Sequence, residues 1–159
     1  SSAASDVYKR QQQIIVENVG GAGGTIGAAR VAKARPDGYT IFLHHIGHST
    51  APALYRKLSY NAIGDFEPIG LVTDVPMTLI AKKDFPAKNF QELLAYVKAN
   101  QAKVTYANAG LGSASHLCGM LFQTAIGVDL TTVPYKGTGP AMNDMLGGQV
   151  DLMLSLIHI

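Results

Sequence analysis

Two short loops hold the residues best suited to chemistry: Gly-Leu-Gly-Ser-Ala-Ser-His at residues 110–116 and Pro-Tyr-Lys-Gly-Thr-Gly at residues 134–139. In both, glycine removes the Cβ that keeps a ligand away from the backbone, and a helical pattern follows directly. A helix start leaves backbone N–H groups unpaired and carries partial positive charge. A glycine-rich approach lets those groups converge on an anion such as carboxylate or phosphate. Gly110 and Gly112 give the close approach, and Ser113 and Ser115 add hydroxyl donors. The same residues also fit a tight turn followed by a serine N-cap, and the loop alone leaves both readings open. His116, just inside the next helix, is either a donor to a ligand or a brace for the loop.

A third glycine cluster, GGAGG at residues 20–24, precedes another helical pattern, and His44, His45 and His48 sit in HHIGHST at residues 44–50. Metal binding by these histidines needs a distorted loop, because neighbours in a strand face opposite ways. No cysteine or carboxylate lies close in sequence to complete a shell. A polar loop lining a ligand and a set of solvent-facing histidines are the other two readings.

Several chemistries lose ground. The dinucleotide spacing GxGxxG fails in GGAGGTIG, because a pattern begun at Gly21 meets Ile26 at its last position. No GxxxxGK[ST] phosphate loop occurs, and GxSxG is missing because Ser113 directly follows Gly112. The carboxylates are scattered, with no pair placed for acid–base work. No catalytic set stands out among these residues.

The elements that must position these loops alternate between strand and helix. Strands are expected at Gln13 to Val19, Tyr39 to Leu43, Leu71 to Val75, Met77 to Ala81, Lys103 to Ala107, Leu130 to Val133 and from Val150. A small-residue helical face through Ile26, Ala29 and Ala32 must stop before Pro36, and Pro52 to Leu58 reads as a short helix. Asn89 with Glu92 forms a capping-box signal, followed by Phe90, Leu93, Leu94 and Val97 on one face. Leu117 to Ala125 continues a helix to Gly127, and Pro140 suits a first helical position before Gly147 and Gly148. Repetition of strand, glycine loop and helix predicts an α/β fold with parallel-rich sheets flanked by helices. In such sheets ligands sit beyond the carboxyl ends of the strands.

Composition narrows the class further. The chain has 159 residues, 47% hydrophobic and 15% charged, with a formal net charge of +2. No basic stripe or acidic tail stands out, which argues against nucleic acid and membrane surfaces as partners. The apolar runs fall far short of the roughly 20 residues that span a bilayer. The single cysteine, Cys118, reads as a small apolar helix residue.

The two ends carry an unusual relation. Codons GAT GTG TAT AAG AGA CAG encode Asp6 to Gln11, and their reverse complement encodes Leu-Ser-Leu-Ile-His-Ile, which is residues 154–159. Residues 1–11 and 154–159 are therefore expected to be non-native read-through, as from a sequencing adaptor, and are set aside from fold reasoning.

The runs VENVGGAGGTIGAARVAKARPDGYT, LYRKLSYNAIGDFEPIGLV, YANAGLGSASHL and VPYKGTGPAMNDMLGGQVD resemble the substrate-binding receptors of tripartite tricarboxylate transporters, often called Bug proteins. The likeness covers residues 12–153. It implies a two-lobed periplasmic-binding-protein (flytrap) fold, with residues 12–77 in lobe one and 78–153 in lobe two. It also implies a periplasmic receptor, without catalysis, metal or cofactor, that delivers a small organic carboxylate to a membrane permease. Carried over by motif, the ligand-side residues are His48 and Ser49 in the first lobe. In the second they are Gly110, Gly112, Ser113, Ser115, His116, Tyr135, Lys136, Gly137 and Thr138. The family's leading strand and proline-glycine loop are expected before residue 12. HHIGHST is richer in histidine than the family's small polar loop. Two other classes stand beside this one: a cytosolic α/β enzyme acting on a phosphorylated substrate, and a sensor domain for a signalling partner. Replacement of Ser113 by leucine is expected to remove a ligand response while sparing the unliganded fold.

Overall fold

The computed structural model describes residues 13–156. The read-through expected at residues 1–11, and His158, lie outside the described residues. Four strands form one sheet: β1 (Met77–Ala81), β2 (Thr105–Asn108), β3 (Thr131–Pro134) and β4 (Leu152–Leu156). Their order is β1-β4-β2-β3. β4 runs parallel to β2 and β2 parallel to β3, while β1 pairs antiparallel with β4. The helices are α1 (Thr25–Ala32), α2 (Gly47–Leu54), α3 (Phe90–Ala99), α4 (Ala114–Ile126) and α5 (Thr138–Leu146), with a 3-10 turn at Ala22–Gly24. The expected α/β architecture, a parallel-rich sheet flanked by helices, is present.

Side-chain alternation along the strands divides the core between the two sheet faces. Tyr106, Leu152 and Leu154 pack with Leu93 and Val97 of α3 and with Cys118 and Phe122 of α4. Ala107 and Met153 face the other way, against Ala141 and Met145 of α5. The helix after β2 and the helix after β3 thus leave the sheet on opposite faces. Their entry loops start from adjacent strand ends, with Asn108 paired to Pro134. That is where an open α/β sheet places a ligand.

The helix boundaries follow from local chemistry. The Asn89 side chain accepts from the Glu92 N–H at 3.0 Å. Glu92 reaches back to the Lys88 N–H at 2.8 Å, one residue before the position a reciprocal capping box would use. Gly127 closes α4 in the left-handed conformation, at φ 69°. Pro140 is the third rather than the first residue of α5, still within the turn whose N–H groups have no intrahelical partner.

Two expectations about the first half need correction. Gln13 to Val19, Tyr39 to Leu43 and Leu71 to Val75 form no strand. A strand needs a ladder partner for its N–H and C=O groups, and none of the described residues supplies one. Most of their apolar side chains stay in solvent, Tyr39 at 93% exposure, while Phe42 packs against His48 and Phe66. The helix expected at Pro52 to Leu58 instead spans Gly47–Leu54. His45 Nδ1 accepts the Gly47 N–H at 3.1 Å, and the Ser49 hydroxyl donates to the Ile46 carbonyl at 2.9 Å, so the first turn forms inside the histidine loop. Tyr55 is extended and ends it. At the other end, β4 runs to Leu156, past the boundary drawn at residue 153, and Leu154 and Ser155 are buried in the sheet.

Asp151 ties three strands together. It accepts from the Thr105 N–H at 2.8 Å and the Thr105 hydroxyl at 2.9 Å, and pairs with Lys82 at 2.9 Å. Desolvation pushes its pKa up, but the Lys82 and Thr105 bonds outweigh that and hold it below its ordinary 3.8. A depressed carboxyl contributes stability that is present above the unfolded value and is lost as pH falls through the folded one. Asp151→Ala is expected to cost about 2–3 kcal/mol at neutral pH, from lost charge-assisted bonds. The deficit should shrink in melts taken well below pH 3.8. An equal deficit at both pH values would contradict this assignment.

Candidate ligand site at the glycine loops

The loop after β2 is held by its own side chains. Asn108, fully buried, accepts the Gly110 N–H through Oδ1 at 2.9 Å. Ser115 Oγ accepts the Ala109 N–H at 2.9 Å, and His116 Nδ1 accepts the Gly112 N–H at 3.3 Å. Ser113 is the N-cap of α4: its Oγ accepts the His116 N–H at 3.2 Å and lies 3.0 Å from Ser115 Oγ. Both serines are buried, each 5% exposed. The amides of Gly110, Gly112, Ser113 and His116 are therefore already committed. Those left for an anion are Leu111 and, at the helix start, Ala114 and Ser115. Of the two readings left open for this loop, the structure shows capping and bracing by the serines; unpaired amides remain beside them. His116 acts on the loop as a brace.

The second loop lies alongside. The Tyr135 N–H donates to the Asn108 carbonyl at 2.9 Å, and a methyl group at Gly110 would stand 3.1 Å from the Tyr135 carbonyl oxygen. The Tyr135 hydroxyl donates to Asp144 at 2.7 Å; that bond, with some burial, raises its pKa. Gly137, at φ 117°, turns the chain into α5, and the exposed Lys136 and Thr138 flank it.

The first half folds onto these loops through glycines. Gly23, at φ 63°, abuts the Leu111 carbonyl oxygen so closely that a Cβ has no space. A methyl group at Gly47 would lie 2.7 Å from the Gly112 carbonyl oxygen. The Tyr55 hydroxyl donates to the Leu111 carbonyl at 2.6 Å. GGAGG thus serves the close approach of two loops.

His48 and Ser49 sit differently from the second-half residues. His48 Nε2 bonds the Ala62 carbonyl at 2.9 Å, and its ring packs among Phe42, Tyr60 and Phe66. Ser49 is exposed and bonded to its own helix. Their neighbour Gly47 makes the contact with loop 110–116. Sequence reasoning missed Gly47, Tyr55 and Asn108. The signals were faint: Tyr55 lies in LYRKLSY, and Asn108 is the polar residue ending a buried strand.

Glycine loops at the carboxyl ends of parallel strands, with free amides at the helix starts, define an α/β binding protein. Among the described residues no cluster of His, Cys, Asp or Glu could hold a metal ion, and no helix is long and apolar enough to cross a membrane. The chain belongs to the tripartite tricarboxylate transporter receptor family. The model described as "Tripartite tricarboxylate transporter family receptor" matches residues 2–159. This is a family of solute-binding receptors, not of enzymes. A UPF0065 protein from the TAR-I ttuE-ttuC' intergenic region of Agrobacterium vitis is 55% identical over 141 residues, covering 89% of this chain and 41% of that protein. The solved periplasmic binding protein BugD is similar with TM-score 0.89 and 58% identity, covering 97% of this chain and 52% of BugD. MatC from Rhodopseudomonas palustris, solved with bound malate, gives TM-score 0.83 at 42% identity, covering 97% of this chain and 53% of MatC. The chain spans less than half of that curated relative and about half of these solved chains. The described residues contain one sheet.

Proposed function

We propose that this chain is part of a periplasmic receptor that binds a small organic carboxylate and delivers it to a tripartite tricarboxylate-type permease. The observation that carries this reading is the pair of helix starts, α4 and α5, at the carboxyl ends of adjacent parallel strands. Their free amides suit a carboxylate without a charged partner. Leu111, Ala114 and Ser115 would donate from the first loop, and Lys136, Gly137 and Thr138 from the second. Gly110, Gly112, Ser113, His116 and Tyr135 hold those donors in place. His48 and Ser49 would act through the helix they share with Gly47. Malate in MatC supports the ligand class.

The test is a thermal-shift panel on the product of the full-length gene. It should include malate, other di- and tricarboxylates, amino acids and aromatic acids, with nucleotides and sugar phosphates as the opposing arm. A bound acid at 100 times its Kd should stabilise by about 2.7 kcal/mol. Stabilisation by phosphates alone would reject the carboxylate reading. Ser113 needs a gentler substitution than leucine, because a buried N-cap cannot take a larger apolar side chain without disturbing the fold. Ser113→Ala is expected to cost about 1 kcal/mol in the unliganded melt through loss of the cap. It should also weaken the response to the bound acid, since Ala114 and Ser115 lose their anchor. An unchanged response would move the site away from this loop.

A further inference from the structure

We propose that His45 and His116 form an acid-sensitive clasp on the junction between the glycine loops, so that their protonation loosens the junction and releases the bound acid. The clause about release rests on the function proposed above; the clasp itself rests on geometry. Gly47 and Gly112 meet at the junction, and each donates its backbone N–H to an imidazole Nδ1: Gly47 to His45 at 3.1 Å, Gly112 to His116 at 3.3 Å. A ring nitrogen that accepts a hydrogen bond must be unprotonated, so both rings are held in the neutral Nε2–H form. Adding a proton to either Nδ1 turns the bond into two donors facing each other. His44 has the same bias by another route. Its Nδ1 donates to the His45 carbonyl at 2.9 Å, and its Nε2 is buried beside Gly24 with no partner among the described residues. A second proton there would have no acceptor.

The groups around the junction are the stacked His44 and His45 rings, His48 edge-on to His44, the Tyr55 and Tyr60 phenols with Lys57 beside them, and Asp129, which lines the same groove as His116. Asp129 is the carboxylate among them, and it makes no ion pair with His116. Neither ion pair among the described residues, Arg30–Glu17 or Lys82–Asp151, involves a histidine. Desolvation lowers the pKa of His45 and His116. It also lowers that of His44, against the opposing backbone bond to His45. Groups with folded pKa below the unfolded 6.5 contribute stability that is full above that value. The contribution is lost as pH falls through the folded value, so the clasp opens on the acid side.

The experiment uses the full-length gene product. Ring 15N spectra should show His45 and His116 as Nε2–H tautomers titrating below 6.5, the ordinary value. The unliganded Tm should fall between about pH 7.5 and about pH 5, and affinity for malate, as probe acid, should weaken at least tenfold. The variant His45→Asn/His116→Asn carries an amide oxygen at the place of each Nδ1, accepts the same N–H groups and does not titrate. It should keep the neutral-pH Tm and lose at least half of the acid-induced fall. Rings that titrate at or above the ordinary value, or a variant with the parent's pH profile, would overturn the proposal. Should the variant fail to fold, the ring titrations decide alone. Failure of malate and every other acid to bind at any pH would sink the proposed function, while the spectra and unliganded melts still judge the clasp.

Discussion

Gly119→Ala should destabilise the protein by about 3 kcal/mol, the largest effect expected of so small a change. Gly119 sits in the middle of α4, and an added Cβ would overlap the edge of the Tyr106 ring and its hydroxyl. The ring cannot step aside cheaply. Tyr106 is 1% exposed; its hydroxyl donates to the Ser115 carbonyl at 2.6 Å and accepts the Leu154 N–H at 3.3 Å. Burial raises that phenol's pKa. Either α4 lifts from the sheet, or both bonds break and leave buried groups unpaired. Denaturant melts measure the cost, with Gly139→Ala as the control. Gly139 is also helical, but nothing lies within 4 Å of its Cβ position. An alanine directly before Pro140 is disfavoured in the helical region, which offsets its propensity gain, so the change should be close to neutral. Equal melts for the two variants would remove Tyr106 as the reason α4 carries a glycine.

Gly23→Asn should reduce affinity for the bound acid at least tenfold, about 1.4 kcal/mol, and cost less in the unliganded melt than Gly119→Ala. Two demands fall on Gly23: a positive φ of 63° and the approach to the Leu111 carbonyl. Asparagine tolerates the first better than most residues, so its cost reports the second. Its side chain would push the 3-10 turn away from loop 110–112 and pull Leu111 from the Tyr55 hydroxyl. Leu111 supplies one of the few uncommitted amides in that loop, so the loss should appear in ligand binding. Gly38→Asn, at φ 80° with open space around it, should leave binding unchanged. Calorimetric titration with malate separates the two variants, and similar affinities would place the close contact outside the site's function.

The second half was legible in the sequence because its signals are local. Asn89 caps α3, Gly127 ends α4 in the left-handed conformation and Gly147 ends α5, each where the sequence places it, while α4 and α5 begin earlier than expected. The strands of the first half were misread for a reason periodicity cannot report. Gln13 to Val19 has the β-branched composition of a strand, but a ladder is a relation between two segments, and composition describes only one. The site was legible as loops and not as contacts. That Gly110 and Gly112 allow close approach follows from residue type. That their N–H groups are taken by Asn108 and His116 depends on rotamers set by burial. Tyr55 reaches Leu111 across 56 positions of sequence, a distance at which spacing arguments carry nothing.

The strand order has a consequence for the timing of assembly. The last described strand, β4, is an inner one, bonded to β1 on one side and β2 on the other. Met77 finds its partner only at Leu156. Among the described residues β1 therefore has no sheet neighbour when it is made, and this sheet cannot close until the chain through β4 has followed. Until then Leu79 and Ile80 stay available to chaperones and to other nascent chains.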